Sequence, residues 1–369
     1  MQIAMLGIRG VPANFGGSET AVEEIGSRLV ERGHQVTVYC RRHKDTLLGT
    51  RSYKGMRRIV LPSINTLNLD LMSHSFLSLL QMARERFDVV HMHGVGNALL
   101  LPLFKATGRG ARSLVIVDGP DWQRPKWGRM ARLAFRASFP MAVRWADGVI
   151  SDNVQVQELF RTRYGRETPL VGYGADLVRP TELATIKKYG LQPNGYVLQV
   201  GALVPDKGVH VLVQAYEKLA TELPLVIVGD TPYLSAYKAQ VRSTRDPRIH
   251  FLGYVYGQEY RELLANCRLY IHPLLVDGTS PALLQAMAYG CCIVASDLPE
   301  IEGSLADTGL RFTTGSAEAL SQKITEALAC PEQMADLGQK ARQRIVDYFN
   351  WDRVTDAYEE LSQGLLSAN

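Results

Sequence analysis

The chain has 369 residues, 46% apolar and 21% charged, which is long enough for two domains and too balanced for a disordered or fibrous protein. No run of about eighteen apolar residues occurs, which excludes an ordinary membrane-spanning helix. The net charge of +4 conceals an asymmetry: residues 1–190 hold 27 Lys+Arg against 16 Asp+Glu, whereas the remainder holds 14 against 21.

The opening MQIAMLGIRG reads as a first strand, without the basic region or cleavage site of a signal peptide. In chain order, IAMLGI, QVTVYC, DVVHMH, SLVIVD and DGVISD read as strands of the first half. Residues 18–32 form a helical pattern with Ala21, Val22, Ile25, Leu29 and Val30 on one face. The second half repeats the plan with YVLQVG, PLVIVGD, IHFLGYV, RLYIHPL and CCIVASD, alternating with GVHVLVQAYEKLA, QEYRELLANC and PALLQAMAYG. Continuous apolar strands with crossover helices predict parallel sheets covered on both faces, one in each of two doubly wound Rossmann-like domains. The expected division is residues 1–172, a linker at 173–190, a second domain at 191–348, and a closing helix at 349–369 that packs back on the first domain. Cys40, Cys267, Cys291, Cys292 and Cys330 are odd in number and lack metal-type spacing, so they are expected to be buried free thiols of a reducing compartment.

In open parallel sheets, ligands bind beyond the carboxyl ends of the strands, so the strand-end loops carry the candidates, facing a cleft between the two domains. After the first strand, Gly7, Gly10, Gly16 and Gly17 precede a helix that Ser18 can cap, a backbone suited to an anion. A tight turn with no ligand is the alternative. Lys207 and Gly208 stand where another strand-end loop enters a helix, so an ammonium and a helix start can meet one anion. In VDGTSP, Asp277 can accept sugar hydroxyl hydrogen bonds, and the amides near Thr279 and Ser280 suit a phosphate. Ser280, Pro281 and Gly290 supply the cap, first turn and exit of a helix whose apolar run is interrupted by Gln285. Gln285 is placed to bond a ribose or sugar hydroxyl, or is a polar surface residue. Asp118 ends a strand as a general base, an electrostatic stabiliser or an Asx-turn residue. The following stretch interleaves Trp122, Trp127, Phe135 and Trp145 with Arg124, Lys126, Arg129, Arg132, Arg136 and Arg144. That pattern suits an anionic membrane interface, or equally a solvated helix face over a core. His91 and His93 share a strand face, but no third ligand accompanies them, and no metal site is assigned.

Together GIRGVPANFGGSETAVEEIGSRLVERGHQVTVYCR, DVVHMHG, VDGPDWQRPKWGR, VGALVPDKGVH and DGTSPALLQAMAYGCCIVASDLPE resemble glycosyltransferase family 4, nearest its bacterial rhamnosyltransferase-like branch. The resemblance spans nearly the whole chain. It implies the GT-B fold and retaining transfer of a sugar from a nucleotide-diphosphate donor to an acceptor hydroxyl in polysaccharide or glycan assembly, with no cofactor or metal required. It implies catalytic roles for Asp118, Lys207 and Asp277. Donor contacts are implied at Gly16, Gly17, Lys207, Asp277, Gly278, Thr279, Ser280 and Gln285, with Tyr254 and Val255 at the nucleobase. The implied partners are the sugar nucleotide and a sugar acceptor, lipid-linked in one version. With the basic first half, they suggest a cytoplasmic enzyme making peripheral contact with the anionic inner membrane face. The basic residues lack a nucleic-acid recognition module.

Three positions depart from the family pattern. Its pair of glutamates appears as Asp277 and Gln285. The arginine before its lysine is Ala202, for which Arg9 is a candidate substitute. The histidine of the first-domain strand end is Asp118, as also in the rhamnosyltransferase-like branch. Ala202 and Gln285 motivate one rival reading, a catalytically weak or inactive sugar-nucleotide-binding protein; another is a nucleotide-sugar epimerase or glycogen-synthase-like enzyme on the same fold.

Overall fold

The computed structural model describes residues 1–13, 16–42, 51–66, 69–120, 122, 128–231, 235–276 and 280–367. It divides into two compact units, Met1–Tyr173 with Trp351–Asn369, and Gly174–Asn350.

In the first unit β1 (Gln2–Leu6), β2 (Gln35–Arg41), β3 (Ser52–Tyr53), β4 (Met56–Leu61), β5 (Val89–His93), β6 (Arg112–Val117) and β7 (Gly148–Ser151) form one sheet in the order β3-β4-β2-β1-β5-β6-β7. All neighbours are parallel except the β3–β4 hairpin. Helices α1 (Gly17–Glu31), α2 (Asp70–Met82), α3 (Leu101–Thr107), α4 (Arg129–Trp145) and α5 (Val154–Tyr164) supply the crossovers, with a 3-10 turn at Val95–Leu100. Ile3, Met5, Val38, Val89 and Leu114 are fully buried or nearly so, as strands covered on both faces require. Ala21, Val22, Ile25 and Leu29 of α1 enter the same core, and Val30 is only partly buried against it.

The second unit opens with α6 (Ala184–Lys188). Its six parallel strands are β8 (Val197–Val200), β9 (Leu225–Val228), β10 (Ile249–Gly253), β11 (Leu269–His272), β12 (Ile293–Ser296) and β13 (Leu310–Phe312), ordered β10-β9-β8-β11-β12-β13. Between and after them run α7 (Val209–Glu217), α8 (Ser235–Arg242), α9 (Gly257–Ala265), α10 (Pro281–Ala288), α11 (Pro299–Leu305), α12 (Ala317–Ala329) and α13 (Pro331–Tyr348). Buried Glu262 of α9 accepts the Thr185 and Ile186 N–H groups at 2.6 and 3.0 Å, which ties α6 to this unit.

The last helix, α14 (Trp351–Ser367), belongs to the first unit. Trp351, Val354 and Tyr358 enter its core, and Asp352, Asp356 and Glu359 pair with Arg28, Arg32 and His34 at and beyond the end of α1. Of the five cysteines, Cys40, Cys267 and Cys291 are buried, whereas Cys292 is half-buried and Cys330 exposed. Burial was therefore an over-extension for the last two. Among the described residues, no helix is long and apolar enough to cross a membrane.

Candidate active site

In each unit the candidates gather at carboxyl strand ends. In the first, the chain leaves β1 through Gly7, whose φ is 96° and where any Cβ would overlap the His93 carbonyl. The loop is then tied to α1 by carboxylates. Arg9 N–H donates to Glu19 Oε1 at 2.9 Å and Ala13 N–H to Glu23 Oε2 at 2.7 Å. The helix starts one residue earlier than expected, with extended Gly16 as its N-cap and no side chain capping it. Ser18 lies inside the first turn, its Oγ 3.4 Å from the Tyr173 hydroxyl. Two loop amides that an anion would need are thus occupied, and a Cβ on Gly16 would stand 3.3 Å from Glu19 Oε2. The buried Glu19 carboxylate complements the helix start electrostatically, so neutral hydroxyls fit beside Gly16 and Gly17 better than a second anion does.

Asp118 follows β6, and its Oδ1 is buried without a hydrogen bond, so this oxygen does not close an Asx turn. Asp152 follows β7 and is buried, accepting from its neighbour Asn153 at 2.7 Å. Burial first, then the Asp152 and Asp118 charges, push the Tyr173 phenol well above its ordinary range. The Tyr358 phenol is raised by the same causes in the same order. Two acids at the ends of β6 and β7 thus act electrostatically on two phenols of the same unit. Sequence reasoning found Asp118 and missed Asp152, Tyr173 and Tyr358. Asp152 had a legible signal, an acid closing the strand pattern DGVISD, whereas the phenols join the two acids only through tertiary packing.

The two histidines of β5 have structural surroundings. His91 Nε2 lies 3.0 Å from Ser362 Oγ, and its ring meets Tyr358 edge-on with centroids 5.5 Å apart. Burial pushes His91 down to about 3, with His93 acting in the same direction, and pushes His93 down to about 4, so both are neutral imidazoles.

In the second unit, β8 leads into a 3-10 turn at Pro205–Lys207 that ends in Gly208, with φ of 63°. A Cβ on Gly208 would overlap the Pro273 carbonyl, so only glycine lets this turn lie against the end of β11. The turn carries half-buried Lys207 over Gly201, where a Cβ would stand 3.7 Å from the lysine Cγ. His272, at the end of β11, is pushed down to about 3 by burial and then by the Lys207 charge. Gln199 Oε1 and His272 Nε2 are buried without hydrogen bonds at neighbouring strand ends. An ammonium beside a neutral imidazole, over polar atoms in want of partners, is an environment for an anionic group. Ala202 is exposed and adds no cation.

Tyr254 and Tyr256 follow β10 half-exposed, their rings stacked at 5.7 Å and 14°, while Val255 between them is buried. Ser280 occupies the N-cap of α10 in an extended conformation, and its hydroxyl makes no cap bond. The helix exits through Tyr289 and Gly290 as expected. Asp277, Gly278 and Thr279 lie outside the described residues, as do Arg124, Lys126 and Trp127. Gln285 is half-buried and engaged with the backbone: Oε1 accepts the Asp176 N–H at 3.0 Å, and Nε2 donates to the Asp176 carbonyl at 2.7 Å. The amide acts as a backbone bridge, which explains a polar residue in an apolar helix.

Two family descriptions match: Glycosyltransferase Family 4 over residues 15–177, and Glycosyl transferases group 1 over residues 184–344. The chain belongs to glycosyltransferase family 4. The O-antigen chain mannosyltransferase B of Escherichia coli is 27% identical, the match covering 50% of this chain and spanning about half, 54%, of that relative. The N-acetyl-alpha-D-glucosaminyl L-malate synthase of Bacillus anthracis is 24% identical over 98% of this chain and 97% of its own. Among solved structures, Anabaena HepE in complex with UDP-glucose superposes with a TM-score of 0.81 at 19% identity, over 98% of this chain and all of that one. This family 4 chain therefore has the GT-B fold, two parallel sheets each layered with helices.

Proposed function

We propose that the chain is a retaining glycosyltransferase of polysaccharide or other glycan assembly, taking a hexosyl or rhamnosyl group from a nucleotide-diphosphate sugar. The observation that carries the proposal is Lys207, an ammonium carried by the Gly208 turn after β8, beside neutral His272 at the end of β11. In the transfer, the bond from sugar C1 to the phosphate oxygen breaks. A bond from the acceptor oxygen to C1 forms on the same face, and the acceptor proton passes to the departing diphosphate oxygen. Negative charge grows on the departing diphosphate, and a fixed cation stabilises that state more than the bound donor.

In this scheme the second unit, residues 191–348 at its centre, is the donor side and the first the acceptor side; the expected linker 173–190 is, from Gly174 on, part of the second unit. Ser280, with Asp277, Gly278 and Thr279, holds donor sugar and phosphate. Tyr254 and the Val255 backbone meet the base, and Arg9 supplies the cation that Ala202 does not. Gly16 and Gly17 approach the sugar hydroxyls, a role that fits the Glu19 carboxylate beside them. The Gln285 bridge leaves its second amide hydrogen and second oxygen lone pair for a ribose hydroxyl. The acceptor is lipid-linked and met at the cytoplasmic face of the inner membrane, and the reaction needs no metal. A second reading, binding of the sugar nucleotide with weak turnover, is favoured by exposed Ala202 and by the structural engagement of Gln285.

Asp118, with its buried unpaired oxygen, orients the acceptor or stabilises positive charge developing on the sugar. Asp118→Asn is expected to lower turnover about 100-fold while donor affinity and melting temperature stay unchanged. Full activity of the folded variant, measured as nucleotide release, removes Asp118 from the mechanism.

A further inference from the structure

Helix α4, Arg129–Trp145, has two apolar sides. Ser138, Phe139 and Ala142 face the core, where Phe139 packs edge-on against Trp122 at 4.6 Å and stacks on Phe160 at 5.3 Å. At about 100° per residue, Met130, Leu133 and Ala137 project roughly 150° away from that side. Met130 is 80% and Leu133 62% exposed, and Ala134, Ala137 and Pro140 beside them are exposed too. Exposed Arg129 and Arg136 border this stripe on one side and exposed Arg144 stands at its C-terminal end, and no acidic residue occurs anywhere in the helix.

The neighbouring surface continues the theme. Leu71 of α2 and Phe135 of α4 both stand within 3.5 Å of where a Cβ on Gly96 would lie, which draws the two helices to one 3-10 turn. Helix α2 exposes Phe76 and Leu80. Large apolar side chains held in water on a firmly anchored helix are costly, and they mark a surface that meets a partner.

We propose that the Met130–Leu133 face of α4, with its arginine border, docks on an anionic phospholipid bilayer. Apolar side chains enter the acyl boundary while guanidinium groups reach the phosphate headgroups, the division of labour of an interfacial helix. Charge selects this occupant. A second copy seated face to face would bring two arginine borders together with no acid on either helix, whereas an anionic leaflet is complementary to both features. The proposal extends the reading of a lipid-linked acceptor by naming the surface and the lipid chemistry. It is tested without donor or acceptor, so its failure leaves the transferase reading standing.

The test is co-sedimentation of the full chain with vesicles of phosphatidylcholine alone or of phosphatidylcholine with phosphatidylglycerol. Binding is expected only to the anionic vesicles, and it should weaken at high salt. Met130→Glu with Leu133→Glu should lower the partition at least about tenfold, with an unchanged melting temperature because both side chains are exposed. Arg129→Gln with Arg136→Gln should lower it about 25-fold, since each basic group near the surface is worth about fivefold. Equal binding to neutral vesicles, no binding to anionic ones, or either double variant binding like the parent would overturn the proposal. So would concentration-dependent self-association that the Met130/Leu133 variant abolishes, which would make the face an interface between copies.

Discussion

Lys207→Ala is expected to reduce turnover by about 10²–10³-fold, the loss that accompanies removal of one preorganised donor aimed at developing charge. The lysine is carried by a turn that Gly208 presses against the end of β11, and its stem crosses Gly201. The turn that carries it is set by the fold before any ligand arrives, which lowers the reorganisation cost of its proposed attraction for the leaving diphosphate. The neighbouring imidazole is neutral and adds no competing charge. Donor affinity should fall less than turnover, because the diphosphate carries its extra charge only as the sugar departs. Lys207→Arg should rescue in part, keeping the charge while changing its reach and its geometry. The fold should be nearly indifferent, since the residue is half-buried at a surface turn. Single-turnover nucleotide release by a variant with parental melting behaviour checks this, and activity within about twofold of the parent would remove Lys207 from the leaving-group site.

Gln285→Glu should destabilise the protein by about 1–3 kcal/mol even though it restores the family's usual residue type. The amide offers an oxygen to the Asp176 N–H and a hydrogen to the Asp176 carbonyl. An ionised carboxylate keeps the first bond and turns the second into a contact between two oxygens. The neutral acid can donate, so folding favours the protonated form and raises the pKa of this glutamate above its unfolded value, about 4.3. Stability is therefore lowest above the raised folded value and recovers as pH falls through it toward the unfolded one. At neutral pH the melting temperature should drop by several degrees, at about 2–4 °C per kcal/mol for a unit of this size. An unchanged melting temperature coupled to altered donor affinity would mean that the side chain serves the ligand and not the backbone.

The parallel cores were legible because their strands hold unbroken apolar runs, as in LVIV of β9 and the LVIV that closes β6. The β3–β4 hairpin was not, because Arg57 and Arg58 interrupt its apolar pattern and its turn is an undistinguished Lys54-Gly55. Strand β13 spans only Leu310–Phe312 and contains an exposed arginine, too little to register as a period. Strand-end loops could be read from glycine spacing, since Gly7 and Gly208 take positive φ, but the carbonyls that demand glycine there, of His93 and Pro273, are distant in sequence. The N-cap of α1 lies two residues before the expected Ser18, because extended Gly16 starts the helix without a side-chain cap. Gln285 stood out in the sequence, but its partner lies 109 residues away, and no local pattern encodes that distance. The acid–phenol group escaped for the same reason, assembled from the ends of β6 and β7, Tyr173 and the last helix.

A sugar-nucleotide donor held through its diphosphate by the second unit is the central claim, and thermal melting of the full chain against a panel of nucleotides tests it most directly. Uridine, guanosine, adenosine and thymidine diphosphates, their sugars and the free nucleosides would each be added at about 1 mM. At one hundred times its dissociation constant, a ligand of the native state contributes about 2.7 kcal/mol. At least one diphosphate series should therefore raise the melting temperature by several degrees, its nucleoside should not, and Lys207→Ala should blunt the response. No rise with any diphosphate, or the same rise with the bare nucleoside, would contradict the account.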